Sequence, residues 1–156
     1  HGCDIDAEAI AWDREHLMGP SFTRIEPYPP TSYGADSFDI IYGISVMTHL
    51  DEEAQFAWLR ELQRIARPGA IVALTVIGED LRRSRMPAEL SAIYDEKGFA
   101  AYVPDYSNSL AEFSHPDYYK ESYHSLAYIA ATWSKFFAIV EYVETKHQDF
   151  VILRAR

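Results

Sequence analysis

The sequence predicts an α/β domain in which strands and helices alternate and an antiparallel hairpin closes the chain. Two runs, Phe38-Asp39-Ile40-Ile41-Tyr42 and residues 70–77, are short, continuously apolar and rich in β-branched side chains, as buried strands of a parallel sheet require. Between them, Phe56, Leu59, Leu62 and Ile65 recur at helical spacing, the pattern of a strand-to-strand crossover helix. Near the end, residues 138–143 and 150–154 are strand-like and are joined by Lys146-His147-Gln148-Asp149, a hairpin signal.

Length and composition agree with one such domain. A chain of 156 residues has room for one core and too little for a second. A 48% hydrophobic share with 8 Phe, 11 Tyr and 3 Trp is enough to fill that core, which excludes a disordered chain. Fourteen Lys and Arg against 24 Asp and Glu give a net charge of −10 with no basic cluster, so the footprint of a nucleic-acid binder is lacking. The single cysteine, Cys3, closes no intrachain disulfide and builds no structural zinc site. It reads as a small buried strand residue. No apolar run approaches the roughly 20 residues of a membrane helix and no signal peptide opens the chain, so the expectation is a cytoplasmic protein without a membrane partner.

Taken in order, residues 1–6 read as the end of a strand and residues 7–17 as a helix. Ala7, Ile10, Ala11 and Leu17 line one side of that helix, Asp6 is its N-cap and Gly19-Pro20 its stop. Residues 21–25 form a short strand leading into the turn Pro27-Tyr28-Pro29-Pro30. After the strand at 38–42 and Gly43, Thr48-His49-Leu50-Asp51 carries the spacing of a capping box and opens a helix at about 51–66. Arg67-Pro68-Gly69 ends that helix before the strand at 70–77. From 78 to 123 the alternation breaks. Arg82, Arg83 and Arg85 form a basic patch, either a solvated face or a clamp for an anionic acceptor. A short helix covers 88–97, and the stretch 98–121 is rich in Tyr, Phe, Pro and Asp without periodicity. Residues 80–123 therefore read as an inserted lid or acceptor-binding segment. A last helix spans 125–137, with Leu126, Ile129, Ala130 and Trp133 on one face.

Parallel α/β sheets bind ligands at the carboxyl ends of their strands. Gly2-Cys3-Asp4-Ile5-Asp6 offers an acidic residue at such an end, where a ribose diol is commonly held. It is followed in order by Ala35-Asp36-Ser37-Phe38-Asp39-Ile40-Ile41-Tyr42, Ser45-Val46-Met47-Thr48-His49-Leu50, and Leu62-Gln63-Arg64-Ile65-Ala66-Arg67-Pro68-Gly69-Ala70. This series resembles the class I S-adenosylmethionine-dependent methyltransferases, closely over residues 2–77 and loosely through Trp133 and the closing hairpin. The resemblance implies a Rossmann-like methyltransferase sheet of strand order 3-2-1-4-5-7-6, with helices on both faces and strand 7 antiparallel. It also implies S-adenosyl-L-methionine as cofactor. Asp4 would bind its ribose hydroxyls, Ile5 would pack on the adenine, and Glu26, with Pro27, would lie near the adenine edge. Gly43, Ile44 and Ser45 would line the methionine end. The family's first strand and its Gly-rich turn precede Asp4 and are missing from this sequence. A single, N-terminally truncated domain over 1–156 is therefore expected, with two central strands each short of one ladder. Another chain, in a homo-oligomer or by strand exchange, fills the gap, or the two strands pair directly.

Methyl transfer to a hydroxyl needs alignment, exclusion of water and removal of a proton. His49, at a helix start on the ligand side, is the first base candidate, and His124, just before the last helix, is the second. His115-Pro116-Asp117-Tyr118-Tyr119 offers acceptor contacts from the lid. No histidine pair has metal-site spacing, so no metal is expected. Nucleic-acid amine methyltransferases place Asn/Asp-Pro-Pro-aromatic directly after the fourth strand, where this chain has Gly43-Ile44-Ser45. A small molecule or a glycan is thus the expected acceptor. Two rival readings remain at the level of sequence. One is a degenerate methyltransferase-like domain acting as a non-catalytic assembly module through the aromatics of 99–123. The other, a nicotinamide-dependent dehydrogenase, shares the strand-end acid but not the Arg-Pro-Gly sequel or the closing hairpin.

Overall fold

The computed structural model describes residues 1–104 and 118–156. It opens with β1 (Gly2–Asp4) and α1 (Ala7–His16), joined by the Asp6 N-cap. The Asp6 carboxylate accepts the N–H groups of Glu8 at 2.8 Å and Ala9 at 3.2 Å, which the first helical turn leaves unpaired. Next, β2 (Phe22–Arg24) lies parallel to β1, with Gly2 opposite Phe22 and Asp4 opposite Arg24.

The main sheet begins with β3 (Phe38–Gly43), crosses over through α2 (Glu52–Ile65) and returns as β4 (Ala66–Val76), parallel to β3. Asp51 is itself the N-cap of α2 and accepts the Ala54 N–H at 2.9 Å. The capping box expected from Thr48 is therefore not formed, because Thr48 is buried in a 3-10 turn, Met47–His49, that precedes the cap. β4 starts earlier than the apolar run 70–77. Arg67-Pro68-Gly69, expected as the stop of α2, is an irregularity inside the strand: Phe38 pairs with Ala66 but Ile40 pairs with Ile71. Gly69 absorbs the extra length with φ +85°, a conformation that suits glycine.

β7 (Ala138–Val143) and β8 (Asp149–Arg154) form the antiparallel hairpin, and β8 also pairs antiparallel with β4. The sheet order is β3-β4-β8-β7, with β1-β2 a separate parallel pair. Among the described residues, β1 pairs only with β2 and β3 only with β4, and the two do not pair with each other.

The described part of the region from 78 to 123, residues 78–104 and 118–123, is more regular than its sequence suggests outside the helix expected at 88–97. It holds α3 (Glu79–Arg85), a 3-10 turn (Ala88–Leu90), α4 (Ser91–Lys97) and β5 (Phe99–Tyr102), which pairs antiparallel with β6 (Glu121–His124). Gly98 ends α4 at φ +72°, its N–H bonded to the Tyr94 carbonyl at 2.7 Å. A side chain there would run into Ser125 Oγ. The expected contacts of His115-Pro116-Asp117 lie outside the described residues. The last helix is shorter than 125–137: α5 (Leu126–Thr132), capped by Ser125, passes into a 3-10 turn, Trp133–Lys135.

The core lies between the helices and the inner face of the main sheet. Leu59 of α2, Ile129 of α5, Trp133 and Phe137 meet Val72, Val76, Val151 and Leu153 of β4 and β8, all fully buried. β3 is not buried on both faces as its sequence implies. Ile41 packs on the core, whereas Ile40 is 71% and Tyr42 74% exposed.

Candidate functional site

A cavity of about 600 Å³ opens between the unpaired edges of β1 and β3. Gly2, Cys3, Asp4 and Ile5 line one wall; Ile40 to Val46 line the other; and His49, Trp58, Tyr118 and Tyr119 lie along it as well. The structure thus brings together Asp4, Ile5, Gly43, Ile44, Ser45 and His49, all expected from the sequence. Glu26 is not among them, since it is exposed and its neighbour Ile25 faces the cavity instead. Cys3, expected in the interior, is exposed on the cavity wall because β1 has no neighbour on that side.

His124 is also elsewhere. β6 carries it into the core, where it is 1% exposed and packs edge-on against Phe99 and Trp133. Its Nε2 pairs with Gln55 Oε1 at 2.9 Å, its Nδ1 has no hydrogen-bond partner, and burial drives its pKa down to about 3. A neutral ring sealed from the cavity does not fit the base role expected of it. Its place beside a helix start did not reveal which side of the sheet it would face.

Asp4 accepts the Asp6 N–H on Oδ1 at 2.9 Å. Its second oxygen is bonded to nothing among the described residues. After β3 the chain turns sharply, and Ser45 adopts φ +58°, an unusual conformation for a residue with a side chain. The Ser45 N–H donates to Thr75 Oγ1 at 2.7 Å, and its Oγ accepts from Gln148 Nε2 at 2.8 Å. His49 Nε2 lies 3.3 Å from Ser45 Oγ and 3.0 Å from the Tyr119 hydroxyl. The His49 Nδ1 donates to the Lys120 carbonyl at 3.1 Å. Burial lowers the pKa of His49 below its ordinary 6.5, against the opposing pull of the Lys120 carbonyl and Glu121, so the ring is neutral at pH 7.

Thr75, Gln148 and Trp58 have no signal in the sequence. Gln148 sits in a hairpin turn 103 positions from Ser45, and only the topology, which sets that turn beside the carboxyl end of β4, brings the two together. The Trp58 indole N–H donates to the Pro27 carbonyl at 3.0 Å and the Tyr118 hydroxyl at 3.2 Å. This fastens the Pro-rich turn and the end of the 80–123 segment to one wall.

The donor set fits the nucleoside end of S-adenosyl-L-methionine. A strand-end carboxylate with one uncommitted oxygen is matched to a diol, and Ile5 beside it offers an apolar surface. Among the described residues, no three His, Cys, Asp or Glu side chains gather to hold a metal ion. No described helix is long and apolar enough to cross a membrane.

No protein-family model matches the chain, and no curated protein matches it by sequence. Solved structures do. A methyltransferase dependent on S-adenosylmethionine from Methanosarcina mazei superposes over 99% of this chain and 80% of its own, with a TM-score of 0.68 and 19% identity. One from Mesorhizobium loti covers 98% of this chain and 78% of its own, with a TM-score of 0.64 and 14% identity. The glycopeptide N-methyltransferase MtfA, solved with S-adenosyl-L-methionine, covers 99% and 71%, with a TM-score of 0.63 and 10% identity. The chain has the class I methyltransferase fold. Within that fold the observed order, β2-β1 and then β3-β4-β8-β7, corresponds strand for strand to 3-2 and 4-5-7-6. The cavity lies between the strands that correspond to 2 and 4.

Proposed function

We propose that this chain transfers a methyl group from S-adenosyl-L-methionine to a small-molecule or glycan acceptor, as part of a longer enzyme. The observation that carries this reading is the convergence of Asp4 and the Gly43–Ser45 turn on one cavity at the carboxyl ends of β1 and β3. In it, Asp4 holds the ribose hydroxyls, Ile5 packs on the adenine, and Gly43, Ile44 and Ser45 line the methionine end. The cofactor supplies an electrophilic methyl on a sulfonium. His49 takes the acceptor's proton, and the aromatic wall of Trp58, Tyr118 and Tyr119 excludes water. Upstream residues of the longer enzyme add a strand between β1 and β3, supported by the two parallel edges that flank the cavity. The segment 80–123 covers the acceptor. The net charge of −10 favours an acceptor that is not nucleic acid.

Calorimetry with S-adenosylhomocysteine on this chain and on one extended upstream tests the reading. The extended protein is expected to bind, and Asp4→Ala to weaken binding by about tenfold or more, the loss of a charged hydrogen bond. Binding by neither protein would overturn methyl transfer and favour a non-catalytic assembly module.

A further inference from the structure

A closed ring of hydrogen bonds ties the turn after β3 to the far end of the chain, and its donors run in one direction. The Ser45 N–H donates to Thr75 Oγ1 at 2.7 Å, the Thr75 hydroxyl donates to Gln148 Oε1 at 2.7 Å, and the Gln148 amide donates to Ser45 Oγ at 2.8 Å. With Ser45 Oγ already accepting from Gln148, its own proton turns to another neighbour. His49 Nε2 is 3.3 Å away and Thr48 Oγ1 3.5 Å. The Lys120 carbonyl, 3.1 Å from Nδ1, accepts only. Nδ1 therefore carries the imidazole proton and Nε2 the lone pair. Tyr119 stacks on the imidazole with centroids 4.3 Å apart and planes 20° apart. Its hydroxyl lies 3.0 Å from Nε2, so the lone pair faces two hydroxyls, those of Tyr119 and Ser45. The left-handed Ser45 is a strained conformation that persists where surrounding bonds over-determine it, and this ring supplies them.

We propose that Gln148 is a positioning residue for His49: the Lys120 carbonyl leaves Nε2 unprotonated, and Gln148, through Ser45, orients the hydroxyl that faces Nε2 at the cavity wall, fitting the site to an alcohol or phenol acceptor. This assignment rests on the methyl-transfer reading. As the acceptor oxygen bonds to the methyl carbon, the carbon–sulfur bond breaks with its electron pair left on sulfur. The hydroxyl proton passes to His49 Nε2, and the resulting imidazolium later returns it to water. An incoming hydroxyl displaces that of Ser45 from the lone pair, at no cost in backbone order, because Thr75 and Gln148 keep the turn in place. Among the described residues, the titratable groups facing His49 are Glu121 and Tyr119. Neither belongs to the ring, so a change at Gln148 reports on the ring alone.

Imidazole ¹⁵N NMR of the whole ligand-free chain, titrated with pH, reads this without an acceptor. His49 is expected as the Nδ1–H tautomer at neutrality. Gln148→Leu, which removes the amide without adding charge, is expected to raise the His49 midpoint by about half a unit or more, because Nε2 loses its oriented hydroxyl. Ser45→Ala, which deletes the link itself, is expected to give the same shift. Thr75→Ser, which keeps the ring, is expected to stay at the wild-type midpoint. A wild-type ring protonated on Nε2 overturns the assignment. So does an unchanged midpoint in Gln148→Leu with an intact amide spectrum. If that variant does not fold, Ser45→Ala decides by the same criterion. S-adenosylhomocysteine calorimetry separates the two layers. Binding by the extended chain with Nε2 protonated removes this assignment alone, whereas no binding removes methyl transfer and this assignment with it.

Discussion

Glu61 shows how much one buried carboxylate holds in this fold. Its carboxylate lies in a fork of the Arg64 guanidinium, with contacts of 2.7 and 2.8 Å, and accepts both the N–H and the hydroxyl of Thr31. Arg64 is the main reason its pKa falls from 4.5 to about 2, with Thr31 adding to it. A depressed carboxylate contributes stability above its unfolded pKa and loses it as pH falls towards the folded one. Stability is therefore expected to drop by on the order of 2–3 kcal/mol from this group alone between about pH 5 and pH 2. Glu61→Gln should flatten that part of the profile, as followed by urea midpoints at each pH. At this scale the legible residues were those with a rule attached to a position. Asp4, Ile5, Ser45 and His49 follow strand ends, where parallel sheets gather ligands. Thr75 and Gln148 were not legible, since a threonine in a strand and a glutamine in a turn carry no such rule. His124 failed for the opposite reason: it sits at a rule-bound place, but its side chain points into the core.

The elements divide by length. α2, with 14 residues and a strong apolar face, is readable to within a residue at either end. Two changes in it separate its two supports. Asp51→Ala removes the cap and should cost about 1 kcal/mol. Leu59→Ala, at a position with no exposure, should cost about 2–5 kcal/mol. Denaturant midpoints at constant slope check both, and equal losses would contradict a helix held mainly by packing. α3 has seven residues and β5 and β6 four each, no more than two turns or two full alternations, so no period emerges from them, whereas the helix expected at 88–97 is found as a 3-10 turn followed by α4. β4 was misplaced at its start because Arg67-Pro68-Gly69 reads as a helix stop whether the chain turns afterwards or extends. The partner strand, not the local sequence, decides between those outcomes.

For the molecule as a whole, the unpaired edges of β1 and β3 matter more than any single contact. They keep a row of backbone donors and acceptors next to the exposed Ile40 and Tyr42, and such an edge is a template for another strand. Ile40→Lys, a charge on that edge, is expected to leave the thermal midpoint nearly unchanged while suppressing self-association in sedimentation; a collapse of the midpoint would mean that Ile40 is part of the core after all. Against this edge stands a net charge of −10 spread over 156 residues. Two copies approaching edge to edge meet a repulsion that reaches about 30 Å at 0.01 M salt but only about 8 Å at physiological ionic strength. The chain should therefore be dispersed in dilute buffer and gather into larger particles as salt is added, the reverse of ordinary salting-in. For this chain, ionic strength is then the variable that sets colloidal behaviour.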